Sequence, residues 1–211
     1  KDLRGTYIAS RGIEFLNDHK RHPFALWVSF NEPHSPFAFP VEDRERFDPA
    51  DFPVPEIGRD DHDLIPLIFR DLSDDEKRGI AAAYYTSVEY MDRNVGRVLA
   101  ALGRLGLEED TLVVYTADHG YNLGHHGRFE KHCLYDEAMR TPLILRYPGR
   151  YKGGRVIESM TESVDIPGTI LDVMGVEGLA VDHGRRLAPL LDGLAGAGRD
   201  VVFSEYLENE E

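Results

Sequence analysis

The feature that most constrains this chain is a short apolar run that halts at an acid and a histidine. Thr111-Leu-Val-Val-Tyr-Thr-Ala117 has the length and β-branched content of a buried strand, and Asp118-His119-Gly120 follows at once. A buried strand that ends in a carboxylate and an imidazole belongs in a sheet whose strand ends face a crevice, where open α/β sheets bind ligands. The chain then runs Tyr-Asn-Leu-Gly-His125-His126-Gly127-Arg-Phe-Glu-Lys131, so groups able to hold a metal, move a proton or meet an anion crowd into one loop.

The rest of the pattern fits around that strand. Residues 6–19 place Tyr7, Ile8, Ile13, Phe15 and Leu16 at roughly helical spacing, and the charged residues before Pro23 close the segment. Phe24-Ala-Leu-Trp-Val-Ser-Phe30 predicts a second strand covered on both faces. It gives way to Asn31-Glu32-Pro33-His34-Ser35-Pro36-Phe37, where prolines on both sides of His34 stiffen the backbone that presents it. Residues 38–72, with scattered prolines, acids and aromatics and no sustained period, read as an irregular excursion that walls or covers a site. Within it Asp60, Asp61 and Asp63 around His62 read as a solvated acidic loop.

Ser73-Asp-Asp-Glu76 is a capping box, and Ile80, Tyr84, Val88, Met91, Val95, Val98, Leu99 and Leu102 predict one amphipathic helix over 74–103. Tyr84, Tyr85 and Met91 are read as core. A short helix is expected at 133–139, a strand at 141–147, and a helix capped by Asp165 with Pro167 in its first turn. Residues 176–198 are glycine-rich apart from Leu187-Ala-Pro-Leu-Leu191, and 201–204 predict a last strand. This order argues for an α/β fold, a mostly parallel sheet flanked by helices. If 24–30 and 111–117 are parallel neighbours or near neighbours, His34 comes to the same edge as Asp118 and His119.

Charge excludes some partners. Lys plus Arg number 24 against 38 Asp plus Glu, a net −14, which disfavours nucleic acid and anionic membrane surfaces. No stretch approaches the ~20 apolar residues of a membrane span. The single cysteine, Cys133, excludes an internal disulfide and leaves the compartment open. Asp118 and His119 can give an oxygen and a nitrogen to a divalent cation, but two adjacent ligands make a weak site, and mixed donors do not select the metal. Asp-His-Gly is also what a plain turn after a strand looks like.

Taken together, Pro23 to Phe37, Tyr84 to Gly96, Thr116 to Lys131, Thr141-Pro-Leu-Ile, Val164 to Asp172 and Gly184 to Leu191 resemble the sulfatase family of the alkaline phosphatase superfamily. The combination of Asp-His-Gly with Pro-His-x-Pro-Phe and the downstream lysine carries the resemblance. It implies an alkaline phosphatase-like fold in which Asp118 and His119 are metal ligands and His34 and Lys131 contact the sulfate group or its bridging oxygen. Calcium is the first expectation for the metal, with manganese or zinc as alternatives, and His126 is assigned only to the substrate side of the loop. The expected substrate is a small-molecule or carbohydrate sulfate ester.

The chain departs from the family pattern in having no Cys/Ser-x-Pro/Ala-x-Arg segment, the source of the formylglycine nucleophile, and no preceding aspartate pair. Cys133 precedes Leu-Tyr-Asp and does not fit that motif. Residues 1–211 therefore read as a partial domain, the middle and C-terminal portion of a sulfatase, with 176–211 starting its C-terminal part. Formylglycine is expected in the missing N-terminal portion, and the chain alone is expected to be inactive. The alternatives are a phosphodiesterase or phosphonate monoester hydrolase of the same superfamily and a non-catalytic, sulfatase-like binding module.

Overall fold

The computed structural model describes residues 3–177, 183–194 and 198–206. It divides into two compact units, one formed by Lys1–Glu108 with His119–Arg140, the other by Glu109–Asp118 with Thr141–Glu211.

The first unit is built on α1 (Arg4–His19) packed against α3 (Asp74–Arg104), with the short α2 (Leu67–Arg70) between them in sequence. The Ser73 capping box forms as read, its hydroxyl accepting from Glu76 N while the Glu76 carboxylate accepts from Ser73 N. The buried faces differ from the apolar stripes. On α1 the buried residues are Gly5, Ala9, Gly12 and Leu16, while Tyr7 is 60% exposed. On α3 they include Ala81, Ala82, Thr86, Ser87, Tyr90 and Asn94. Small side chains let the helices approach closely, and Thr86 and Asn94 satisfy themselves on the carbonyls of Ala82 and Tyr90 at 2.8 and 3.0 Å. A Cβ on Gly12 would lie 3.3 Å from Val28, so the glycine admits the 24–30 segment against α1.

Along that segment burial alternates from residue to residue, yet it forms no ladder among the described residues, and Trp27 is 84% exposed. The expected strand thus leaves its mark in the alternation of burial and not as a sheet member among the described residues. Side-chain burial on α1 sets its alternation, whereas a ladder needs a partner strand beside it. Residues 38–72 follow the irregular reading, as 3-10 turns at Val41–Asp43, Pro49–Asp51 and Arg59–Leu64 followed by α2. The short helix expected at 133–139 is α4 (Asp136–Met139).

In the second unit β1 (Val113–Thr116) pairs with β2 (Leu143–Arg146), and the pairing is antiparallel, with Val113 opposite Arg146 and Thr116 opposite Leu143. Among the described residues this ladder holds β1 and β2, and the 24–30 segment is not part of it. Two further helices follow, α5 (Asp165–Val173) and α6 (Ala188–Leu191). Asp165 does not cap α5. It is the first helical residue, fully buried, and its carboxylate turns back to accept from Glu162 N at 2.8 Å and Arg185 N at 2.6 Å and to pair with Arg199. Residues 201–204 form no strand; Val201 and Phe203 are 60% and 87% exposed, and among the described residues the isolated pairing in this region is a Met160–Arg199 bridge. The glycine-rich 176–198 stretch falls partly outside the described residues. Among the described residues no helix is long and apolar enough to cross a membrane.

Candidate active site

His34 stands on a turn anchored at both ends. Upstream, Glu32 is buried and accepts from Gly5 N at 3.2 Å, while the Tyr90 hydroxyl accepts from Thr6 N at 2.9 Å. The N-terminal residue of α1 has no side-chain cap of its own, so Glu32 and Tyr90 satisfy its first donors from elsewhere in the chain. Downstream, the ring of Phe37 meets Tyr84 at 5.7 Å and Tyr121 at 6.0 Å, and Tyr84 stacks on Tyr121 at 5.4 Å. This aromatic cluster ties the His34 turn to the Asp-His-Gly loop, and burial pushes the Tyr121 phenol above its ordinary pKa. His34 itself is exposed, its Nδ1 2.7 Å from the Ser35 carbonyl. A carbonyl only accepts, so Nδ1 carries the hydrogen and the neutral ring keeps its lone pair on Nε2.

His119 repeats that arrangement, with Nδ1 donating to the Gly120 carbonyl at 2.7 Å. Its neutral ring therefore holds the lone pair on Nε2, the tautomer that metal ligation uses. Asp118 is exposed just past β1 and His119 is half-buried. Gly120 is required sterically: its N–H donates to Ala138 O at 2.7 Å, and a Cβ there would overlap the Glu137 carbonyl oxygen.

The loop that runs from His119 to Lys131 is held by Asn122, which is fully buried. Asn122 bonds Glu130 O through its backbone at 3.1 Å and through Nδ2 at 2.7 Å, and Nδ2 also reaches Cys133 Sγ at 3.1 Å. The Tyr121 hydroxyl donates to Phe129 O, closing the loop on itself. Among the described residues no side chain pairs with the Lys131 ammonium.

Sequence reasoning missed Glu32, Tyr90 and Asn122; Glu32 and Asn122 had only their nearness in sequence to His34 and His119 to signal them, and Tyr90 had none, since it acts on the N-terminus of α1 from within α3. It also misread Asp61. Asp60, His62 and Asp63 are exposed as expected, but Asp61 turns inward and accepts from His126 Nδ1 and Tyr135 Oη, both at 2.9 Å. Those two hydrogen bonds hold its carboxyl below the usual range. Among the described residues no three His, Cys, Asp or Glu side chains gather as a metal set. Asp118 and His119 suit a divalent cation as donor types, and any further ligands would come from outside that set.

This arrangement defines a class first: an alkaline phosphatase-like α/β fold with a carboxylate and an imidazole at a strand end. Within that class the chain belongs to the sulfatase family, whose family model, described as Sulfatase, matches residues 7–176. It is 40% identical to an N-acetylglucosamine-6-O-sulfatase of Bacteroides thetaiotaomicron over 109 residues, 52% of this chain and 20% of that protein. It is 28% identical to a sulfatase of Formosa agariphila over 210 residues, 93% of this chain and 41% of that protein. Among solved structures it resembles a phosphonate monoester hydrolase from Silicibacter pomeroyi, with TM-score 0.82 and 33% identity, covering 92% of this chain and 42% of that one. The chain thus spans less than half the length of each of these relatives.

Proposed function

We propose that this chain carries one side of the active site of a metal-dependent sulfuric ester hydrolase acting on a small-molecule or carbohydrate sulfate ester. The observation that supports this most directly is the family match over residues 7–176, which takes in the His34 turn, Asp118-His119 and Lys131. Asp118 and His119 would hold the cation, with calcium the first expectation and manganese or zinc the alternatives. When bound, such an ion withdraws charge from the oxygens of the ester group. Lys131 places an ammonium against the non-bridging oxygens, where it offsets charge that grows in the transition state. His34, when it carries a proton on Nε2, hands it to the departing alkoxide. The nucleophile is expected as a formylglycine outside these residues. The name of the Bacteroides relative supports a carbohydrate sulfate as the ester class.

A second reading has its own support. The 33% identity to a phosphonate monoester hydrolase favours a phosphonate or phosphodiester substrate, since a cation and a lysine serve phosphoryl oxygens equally well. The test is turnover of 4-nitrophenyl sulfate, glucosamine 6-sulfate and 4-nitrophenyl phenylphosphonate by the complete protein that carries this chain. Preferred sulfate hydrolysis is the expected result, preferred phosphonate hydrolysis replaces it with the second reading, and no turnover of any ester refutes both. The 211-residue chain alone is expected to turn over none of them.

A further inference from the structure

Five side chains with no metal-binding or proton-transfer role in the reading above, Asp61, His125, His126, Tyr135 and Glu137, come together where the excursion meets the Lys131 loop. Asp61, on the Arg59–Leu64 turn, spends both oxygens on that loop and its continuation, one on His126 and the other on Tyr135. The His126 and Tyr135 rings lie flat on each other, centroids 3.6 Å apart and planes 4° from parallel. The opposite edge of His126 faces Glu137, with Nε2 3.4 Å from Oε2, and the other Glu137 oxygen is 3.6 Å from His125 Nδ1. Held on both edges and one face, the ring has little freedom. Its backbone sits in the left-handed region, φ 56° and ψ 22°, which a non-glycine residue keeps only where its surroundings impose it.

The backbone and apolar contacts run the same way. Arg128 donates to Leu64 O at 2.8 Å, Ile65 is buried, and a Cβ on Gly127 would come within 2.7 Å of Ile65 Cγ1. A Cβ on Gly124 would lie 3.2 Å from Pro55. The excursion therefore meets the loop at Pro55, Asp61, Leu64 and Ile65. Packing alone would hold it near; the carboxylate, with one oxygen on His126 and the other on Tyr135, fixes its register, because two hydrogen bonds to a charged acceptor are directional as apolar contacts are not.

We propose that Asp61, His126 and Tyr135 are positioning residues that clamp the 59–64 turn onto the loop ending at Lys131, making the excursion the outer wall that selects esters by size. The size selection rests on the sulfatase reading above; the clamp does not.

The test uses Asp61→Asn, Tyr135→Phe and His126→Gln in the complete protein, with Asp61→Glu as the conservative variant. Amide hydrogen exchange is read over 59–64 and 124–128, with α3 as internal reference. Each of the first three variants is expected to speed exchange in both segments by about tenfold, the scale of one charge-assisted hydrogen bond, with α3 unchanged and Asp61→Glu partly restoring protection. Unchanged exchange in the two segments overturns the clamp, and so does a uniform rise that includes α3. Turnover then separates positioning from general damage. KM for glucosamine 6-sulfate is expected to move about tenfold while kcat stays near its original value and 4-nitrophenyl sulfate is little affected. An equal fall in kcat for both esters overturns the size-selecting role. If no ester is turned over, the sulfatase reading fails while the exchange result still decides the clamp.

Discussion

Lys131 and Glu32 illustrate two ways in which a single side chain can serve this site. Lys131 is half-buried and has no side-chain hydrogen-bond or ion-pair partner among the described residues, so its removal should change stability little. If it meets ester oxygens, Lys131→Ala in the complete protein should lower kcat/KM by about 10²–10³, the scale of losing one preorganised electrostatic partner. A melting temperature that falls together with activity would instead make the lysine structural. Glu32 acts at a distance from the chemistry. Its carboxylate meets the N-terminus of α1 two residues before His34, so Glu32→Ala should cost about 1–2 kcal/mol in urea unfolding, the range of a lost helix cap, and should loosen the His34 turn. An unchanged unfolding midpoint would remove Glu32 from that role.

At the scale of elements, the junction between the excursion and the Lys131 loop has a definite response to pH. Hydrogen bonds from His126 and then Tyr135 depress the Asp61 pKa, so the folded state favours the carboxylate more than the unfolded chain does. The contribution is therefore complete above the ordinary carboxylate pKa and is lost as pH falls through the lowered one. Arg128 also favours the carboxylate, while Glu137 faces the far edge of His126 and His125 faces Glu137, so both histidines sit among acids. Acidification should release protection at 59–64 before α3 unfolds, and Asp61→Asn should abolish that early step in pH-dependent hydrogen exchange. Simultaneous loss of protection in both regions would show that the junction does not open by itself. Tyr135 is affected in the opposite direction, its phenol pushed up chiefly by the same hydrogen bond.

For the whole molecule, the second unit depends on one buried charge. Burial alone would raise the Asp165 pKa, but Arg199 and the backbone N–H groups of Glu162 and Arg185 outweigh it and leave the carboxyl below its usual range. Asp165→Asn strips Arg199 of its buried partner while leaving its 2.8 Å pair with Glu162, so a loss of about 2–4 kcal/mol is expected in the unit containing β1, β2, α5 and α6. Backbone NMR shifts of α1 and α3 should stay in place; if they collapse too, the two units do not unfold separately. Much of this architecture was legible in the residues. The Ser73 capping box and helical period located α3, the halt after Ala117 located the strand end, and prolines with acids marked the irregular excursion. These are local signals, written within a turn or two of chain. Tertiary structure alone decided the rest: that small residues, with only Leu16 and Leu102 of the apolar stripes, make up most of the buried faces of α1 and α3; that β1 pairs antiparallel with β2 while 24–30 forms no ladder among the described residues; that Asp165 turns away from its cap. It also chose Asp61 over its acidic neighbours. Helix propensity and capping are properties of consecutive residues, whereas strand pairing and the fate of a carboxylate depend on what distant chain arrives beside them.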